Sequence, residues 1–175
     1  MGKNENLSYF LNEAKNIKTD DFEKKIRIAI LGSSTINGYE ETIRVKCHQK
    51  KIACRTYNSN YNQYNQEILK KDSKFYEFKP DITFLILDVR HVLGELFFIP
   101  YSLSELEKRE FIKNKVTEIT NLIKTITNHS KSHVIFSDLQ IPTYSPYGIN
   151  EQKQEFGLKQ IVKNNQAAFK YSDVS

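Results

Sequence analysis

Four short apolar runs, separated by longer stretches with helical spacing, dominate the pattern of this 175-residue chain. The clearest run lies within residues 24–38, where isoleucine, alanine and leucine follow a lysine pair and stop at Gly32. A short run rich in β-branched residues is typical of a strand buried on both faces, as in parallel sheets. Similar runs begin near residues 52, 82 and 134, so the pattern predicts four strands alternating with helices.

This alternation predicts an α/β fold, a flavodoxin-like three-layer sandwich with a mostly parallel sheet. Right-handed crossovers give the strand order 2-1-3-4. The predicted helices cover residues 38–50, a short stretch ending near residue 71, residues 104–128 and residues 151–169. Ser104 followed by Glu107 is a capping box for the third of them.

The predicted domain organisation is a leading helical segment over residues 1–23 and one α/β domain over residues 24–175. No fifth strand follows the last helix, so we expect a domain truncated at its C-terminus. An uncovered edge on the fourth strand offers unpaired backbone groups, which would favour self-association.

Composition argues against several classes of function. The net charge is +5, but the lysines are spread along the sequence, whereas nucleic-acid binders concentrate charge on one face. There is no apolar run long enough for a transmembrane helix, no secretory signal, and only two cysteines. We therefore expect a cytoplasmic protein without a membrane or nucleic-acid partner.

Polar side chains follow the end of every predicted strand, and parallel strands end at the same edge of a sheet, where open α/β folds bind ligands. His129 and His133 precede the fourth strand and so belong to the opposite edge. The candidate site residues at the carboxyl edge are Ser33 and Ser34, Asn60, Asp88, Arg90 and His91, and Asp138.

Three segments together resemble the SGNH (GDSL-type) hydrolase superfamily, and most closely the N-terminal domain of FkbH-type proteins of the HAD superfamily. They are LGSST after the first strand, YNSNYNQYNQEIL after the second and KPDITFLILDVR on the third. The resemblance covers about residues 25–160. It implies that Gly32-Ser33-Ser34 replaces the family's Gly-Asp-Ser turn, with Ser34 as the candidate nucleophile.

The resemblance also implies an oxyanion hole made by the Ser34 amide, Asn60 and the residue after the third strand, where Arg90 replaces the usual asparagine. The Asp-x-x-His segment that supplies the base is absent, so His91 is a weak candidate for that role. No metal or cofactor is implied.

Three functions stay open at this point. FkbH-type proteins are associated with loading a glyceryl unit onto an acyl carrier protein in polyketide biosynthesis, through a HAD domain whose Asp-x-Asp signature is absent here. This chain would then be an accessory module that binds an acyl or glyceryl group or a carrier-protein arm. The alternatives are an ester hydrolase or acyltransferase using Ser34, and a non-catalytic docking domain.

Three site residues have competing interpretations. Arg90 could form an anion site with the amides that begin the first helix of the sandwich, or pair internally with Asp88. Ser33 and Ser34 could likewise only cap that helix.

Overall fold

A single sheet of four parallel strands has the order β2-β1-β3-β4. The computed structural model describes residues 5–18, 22–140, 143–148, 150, 159 and 163. The strands are β1 (Lys24–Gly32), β2 (Ile52–Asn58), β3 (Ile82–Ile86) and β4 (His133–Phe136). The helices are α1 (Leu7–Glu13), α2 (Tyr39–Gln49), α3 (Tyr64–Leu69), α4 (Lys74–Phe78), α5 (Val89–Leu93) and α6 (Glu105–His129). The predicted α/β class and strand order are confirmed.

β1 lies at the centre because it is apolar on both faces. Its residues 28–32 are buried without interruption, as expected for a strand with cover on each side. Lys24 pairs opposite Ile52 of β2, and Ile28 pairs opposite Ile82 of β3. β3 therefore begins four residues further along β1 than β2 does, and the start of the sheet is staggered.

The chain divides into two compact units. The first comprises residues 1–86 and 126–136, and so holds the whole sheet, α1 to α4 and the last turn of α6. Within it, Phe10 of α1 and Ala14, which directly follows α1, pack against Val45 of α2. The predicted boundary at residue 24 stays a prediction.

The second unit comprises residues 87–125 and 137–175. It contains α5, two 3₁₀ turns (Gly94–Phe97 and Pro100–Ser102) and most of α6. α6 begins at the predicted capping box, because the Ser104 amide donates to Glu107 Oε2 at 2.7 Å and the Glu107 amide donates back to Ser104 Oγ at 3.4 Å. Leu106, which has the helical spacing of a core residue, is 77% exposed.

Two predicted elements differ from the structure or lie beyond it. The short helix expected to end near residue 71 corresponds to α3, and the structure adds a second helix, α4, which the pattern does not predict and which buries Phe75 completely. The helix predicted over residues 151–169 lies outside the described residues, apart from residues 159 and 163. Within the described part of the chain, no helix has the length and apolarity needed to cross a bilayer.

Candidate functional site

The turn after β1 ties together the ends of three strands. The Gly32 amide donates to Ser59 Oγ beyond the end of β2 at 3.3 Å, and the Ser33 amide donates to the Ile86 carbonyl at the end of β3 at 3.2 Å. The Ser59 amide donates in turn to the Ile30 carbonyl at 3.0 Å. Ser33 is fully buried, whereas Ser34 is only partly buried. Ser34 thus directly follows a hydrogen-bonded turn at the carboxyl edge of the sheet, at the end of the central strand.

Gly32 lies close to the side chain of Ile36, which follows the turn. A Cβ at position 32 would lie 2.5 Å from Ile36 Cδ1, so the end of that side chain would have to move, whereas its 3.4 Å distance from the Ile86 carbonyl oxygen is ordinary van der Waals contact. The turn therefore favours a small residue at position 32.

The serines do not cap α2. That helix begins at Tyr39, and its N-cap is Gly38, which has a left-handed backbone with φ of 85°. Ser33 and Ser34 precede this cap by several residues, so the capping interpretation is wrong.

The N-terminus of α2 is a poor place for an anion. Glu40 and Glu41 lie in its first turn, where carboxylates already interact favourably with the helix dipole. Glu40 also accepts a hydrogen bond from Thr56 Oγ1 at 2.7 Å, and a side chain on Gly38 would overlap Leu7. The expectation that these amides help to bind an anion therefore gains no support from the local geometry.

Asp88 and Arg90 form the internal pair that the sequence left open. Asp88 caps α5, accepting from the Arg90 amide at 2.8 Å, from Arg90 Nε at 3.0 Å and from Arg90 Nη2 at 2.7 Å. The side chain of Asp88 is 19% exposed and that of Arg90 60% exposed. The guanidinium fork is thus engaged by a carboxylate of its own unit.

The pairing with Arg90 lowers the pKa of Asp88. The Arg90 side chain, by donating hydrogen bonds to the carboxylate, holds the pKa of Asp88 below its ordinary range. A lowered folded-state pKa means that the pair stabilises the fold above the unfolded pKa of about 3.9, and that this contribution is lost as the pH falls through the folded value.

We expect Arg90→Ala to raise the pKa of Asp88 toward about 3.9, measured by NMR titration of its carboxyl carbon. Arg90→Lys keeps the charge but loses the fork, so it should give an intermediate pKa. An unchanged pKa in Arg90→Ala would show that the pair is not formed in solution.

The unit that contains Ser34 offers no histidine at the carboxyl edge within its described residues. His48 lies in the last turn of α2, and its ring lies tilted against that of Phe22, which precedes β1, with centroids 5.3 Å apart. His129 ends α6 and His133 begins β4, so both lie at the amino edge, as predicted. His91 is exposed on α5 in the second unit.

The remaining candidates are dispersed along the chain. Asn60 is exposed, and its amide nitrogen donates to Gln63 Oε1 at 3.2 Å. Asp138 is exposed two residues after β4, in the second unit. Among the described residues, no three histidine, cysteine or acidic side chains come together as metal ligands would. Burial raises the pKa of Cys54 to about 12, so this thiol stays protonated and is a poor nucleophile.

One polar group that the sequence did not single out is Asn65. It lies at the start of α3, in the segment that follows β2, and its Oδ1 is buried without a hydrogen-bond partner among the described residues. Burying an unpaired acceptor costs about 1–3 kcal/mol, so such an atom favours a bound donor. Its position in the YNQYNQEIL segment was the only available signal, because nothing in the pattern separates it from its polar neighbours.

Residues 27–145 match the family of the FkbH N-terminal domain. The chain belongs to this family. The match covers more than half of the sequence, and it confirms the FkbH part of the resemblance, while the SGNH part stays a prediction. No curated protein gives a significant match.

A solved structure is similar in fold to this FkbH N-terminal domain. It is the crystal structure of the N-terminal part of the protein BF1531 from Bacteroides fragilis, described as containing a phosphatase domain and complexed with Mg. The TM-score is 0.71 at 15% sequence identity, which shows the fold alone. The alignment covers 90% of this chain but only 39% of that one, so this chain spans well under half of the neighbour's length.

Proposed function

We propose that this chain is an SGNH-like accessory module of FkbH-type proteins that holds an acyl or glyceryl group, presented on a carrier-protein arm, at the carboxyl edge of its sheet. Membership of the FkbH N-terminal domain family carries the proposal. The partners would be an acyl carrier protein and a HAD domain in the cytoplasm, with neither nucleic acid nor membrane.

The arrangement around Ser34 favours binding over hydrolysis. A serine hydroxyl is a weak nucleophile without an adjacent base. In the first unit, the described histidines lie away from the carboxyl edge, and loss of a triad member costs several powers of ten in rate. The turn is therefore better suited to holding a ligand than to attacking it.

Three features favour a neutral, hydroxyl-bearing ligand over a phosphate. Arg90 already donates its fork to Asp88, and α2 begins with two glutamates. The buried Asn65 Oδ1 lacks a donor among the described residues, which a glyceryl hydroxyl would supply.

The proposal is tested with two assays on the same protein. We expect glyceroyl-pantetheine at millimolar concentration to shift the amide resonances of residues 32–34 and 59–65, and Ser34→Leu to abolish these shifts. Asn65→Ala should weaken binding of glyceroyl-pantetheine more than binding of acetyl-pantetheine, which has no glyceryl hydroxyls.

The second assay measures hydrolysis of p-nitrophenyl acetate, for which we expect no rate above that of buffer. Turnover that disappears in both Ser34→Ala and His91→Ala would favour the hydrolase. Absence of shifts with either pantetheine ester would instead favour a docking domain without a ligand site.

A further inference from the structure

Two lysine pairs that are distant in the sequence come together at the amino edge of the sheet. Lys24 and Lys25 begin β1, while Lys50 and Lys51 directly precede β2. Because β1 and β2 are parallel and Lys24 lies opposite Ile52, the two pairs are neighbours. Lys24, Lys50 and Lys51 border a cleft of about 420 Å³ that is also lined by Phe22 and Glu23.

A second, larger cleft lies at the same edge, where β3 and β4 begin. Its volume is about 630 Å³, and its walls include Arg27, Tyr76, Lys79, Asp81 and Lys131. The Arg27 guanidinium is held by Asp81, with Nη2 donating to Oδ1 at 3.0 Å. The two clefts lie at different levels along the strand direction, because β3 begins opposite Ile28 of β1, whereas β2 begins opposite Lys24.

The described residues that line the two clefts carry a strong positive surplus. Six are basic and two are acidic, a formal charge of +4 where the whole chain has +5. Asp81 is committed to Arg27, and the remaining five basic residues are all exposed lysines. We call these five the basic edge: Lys24, Lys50, Lys51, Lys79 and Lys131. The lysines are spread along the sequence, and the fold brings these five together at one edge of the sheet.

We propose that the basic edge docks an acidic surface of a partner protein. The inference stands independently of the proposed function, because it concerns the opposite edge of the sheet. Like charges gathered on one surface create a positive potential that speeds the approach of an acidic partner and orients it.

The size of the basic edge favours a macromolecule over a small anion. Four strands span about 14 Å, and a four-residue stagger adds about 13 Å along the strands. A single phosphate would engage one cleft and leave the lysines of the other unused. An acidic protein surface can contact both clefts together.

The chemistry of the basic edge favours acidic protein side chains over nucleic acid. Lysines are point charges, and Arg27, the one arginine in these walls, gives its fork to Asp81, so bidentate contacts to phosphates are not offered. The aromatic rings of the described residues that line the clefts already contact other rings, since Phe22 lies against His48 and Tyr76 lies edge-on to His129, with centroids 5.3 and 6.0 Å apart. These rings are therefore poorly placed to act as stacking platforms for bases.

The test measures binding of a short poly-L-glutamate peptide to the full chain, with oligo-dT and inorganic tripolyphosphate as competing probes. Lys50→Gln/Lys51→Gln and Lys79→Gln/Lys131→Gln each remove two charges from the basic edge. Lys70→Gln/Lys71→Gln removes two charges from an adjacent, exposed pair of the same unit that lines neither cleft, and is the matched control.

We expect either pair of edge substitutions to weaken peptide binding about fivefold and the control less than about twofold, with affinity falling between about 50 and 200 mM salt. Peptide-induced amide shifts should centre on residues 22–27, 50–52 and 79–82. Equal losses in all three variants would overturn the proposal by reducing it to net charge. Tighter, edge-dependent binding of oligo-dT or tripolyphosphate would overturn it in favour of a phosphate ligand.

Discussion

Replacing Phe75 with alanine is expected to lower the free energy of unfolding by about 3–5 kcal/mol, the largest effect we predict for a single side chain. Phe75 is fully buried in α4, and its ring packs edge-on against Tyr76 with centroids 4.7 Å apart. Truncation removes this apolar surface and leaves a cavity that a five-residue helix cannot easily close. Since domains are stable by only about 5–15 kcal/mol, the loss should be plain in urea denaturation.

Phe98→Ala is the matched control, because the same chemical change is made where the ring is 59% exposed. We expect it to cost less than about 1 kcal/mol. A cost for Phe75→Ala as small as that of the control would mean that α4 does not pack against the rest of its own unit in solution.

The apolar pattern of the sequence predicts the strands but not the helix α4. The central strand β1 was predictable because residues 28–31 form a continuous apolar run, and burial on both faces leaves few alternatives for such a run. The edge strands β2 and β4, which contain exposed residues, were predictable only as shorter apolar segments between the helical stretches. α4 was missed because five residues are too few for helical periodicity to show. It is defined instead by contacts from outside, such as Ser73 Oγ donating to the Glu67 carbonyl at 2.7 Å.

The sequence predicts at which edge of the sheet the candidate site residues lie, but not which contacts their side chains make. The order of the strands places the turn with Ser34 at the carboxyl edge of the sheet. Whether Arg90 faces a ligand or Asp88 depends on a rotamer and a short helix, α5, that the sequence does not reveal. The sequence also does not predict that the two lysine pairs lie side by side, because only the register of β1 with β2 brings residues 24 and 51 together.

Glu67 lies in a segment that carries the family resemblance, but its contacts stabilise the fold. Glu67, in YNQYNQEIL, extends from α3 to accept a hydrogen bond from the Phe75 amide at 3.1 Å, one of the amides left unpaired at the start of α4. It also accepts from the Tyr57 hydroxyl, and burial together with this bond raises the pKa of Tyr57 above its usual range. One carboxylate thus joins β2, α3 and α4.

We expect Glu67→Ala to lower the free energy of unfolding by about 2 kcal/mol, because two partly buried donors lose their acceptor at once. Glu67→Gln retains one acceptor oxygen and nearly the same shape, so it should lose about half as much. Both are measured by urea denaturation, with amide exchange at Phe75 reporting on the start of α4. Equal losses in the two variants would show that the negative charge matters more than the hydrogen bonds, and exchange at Phe75 unchanged in Glu67→Ala would contradict the capping role.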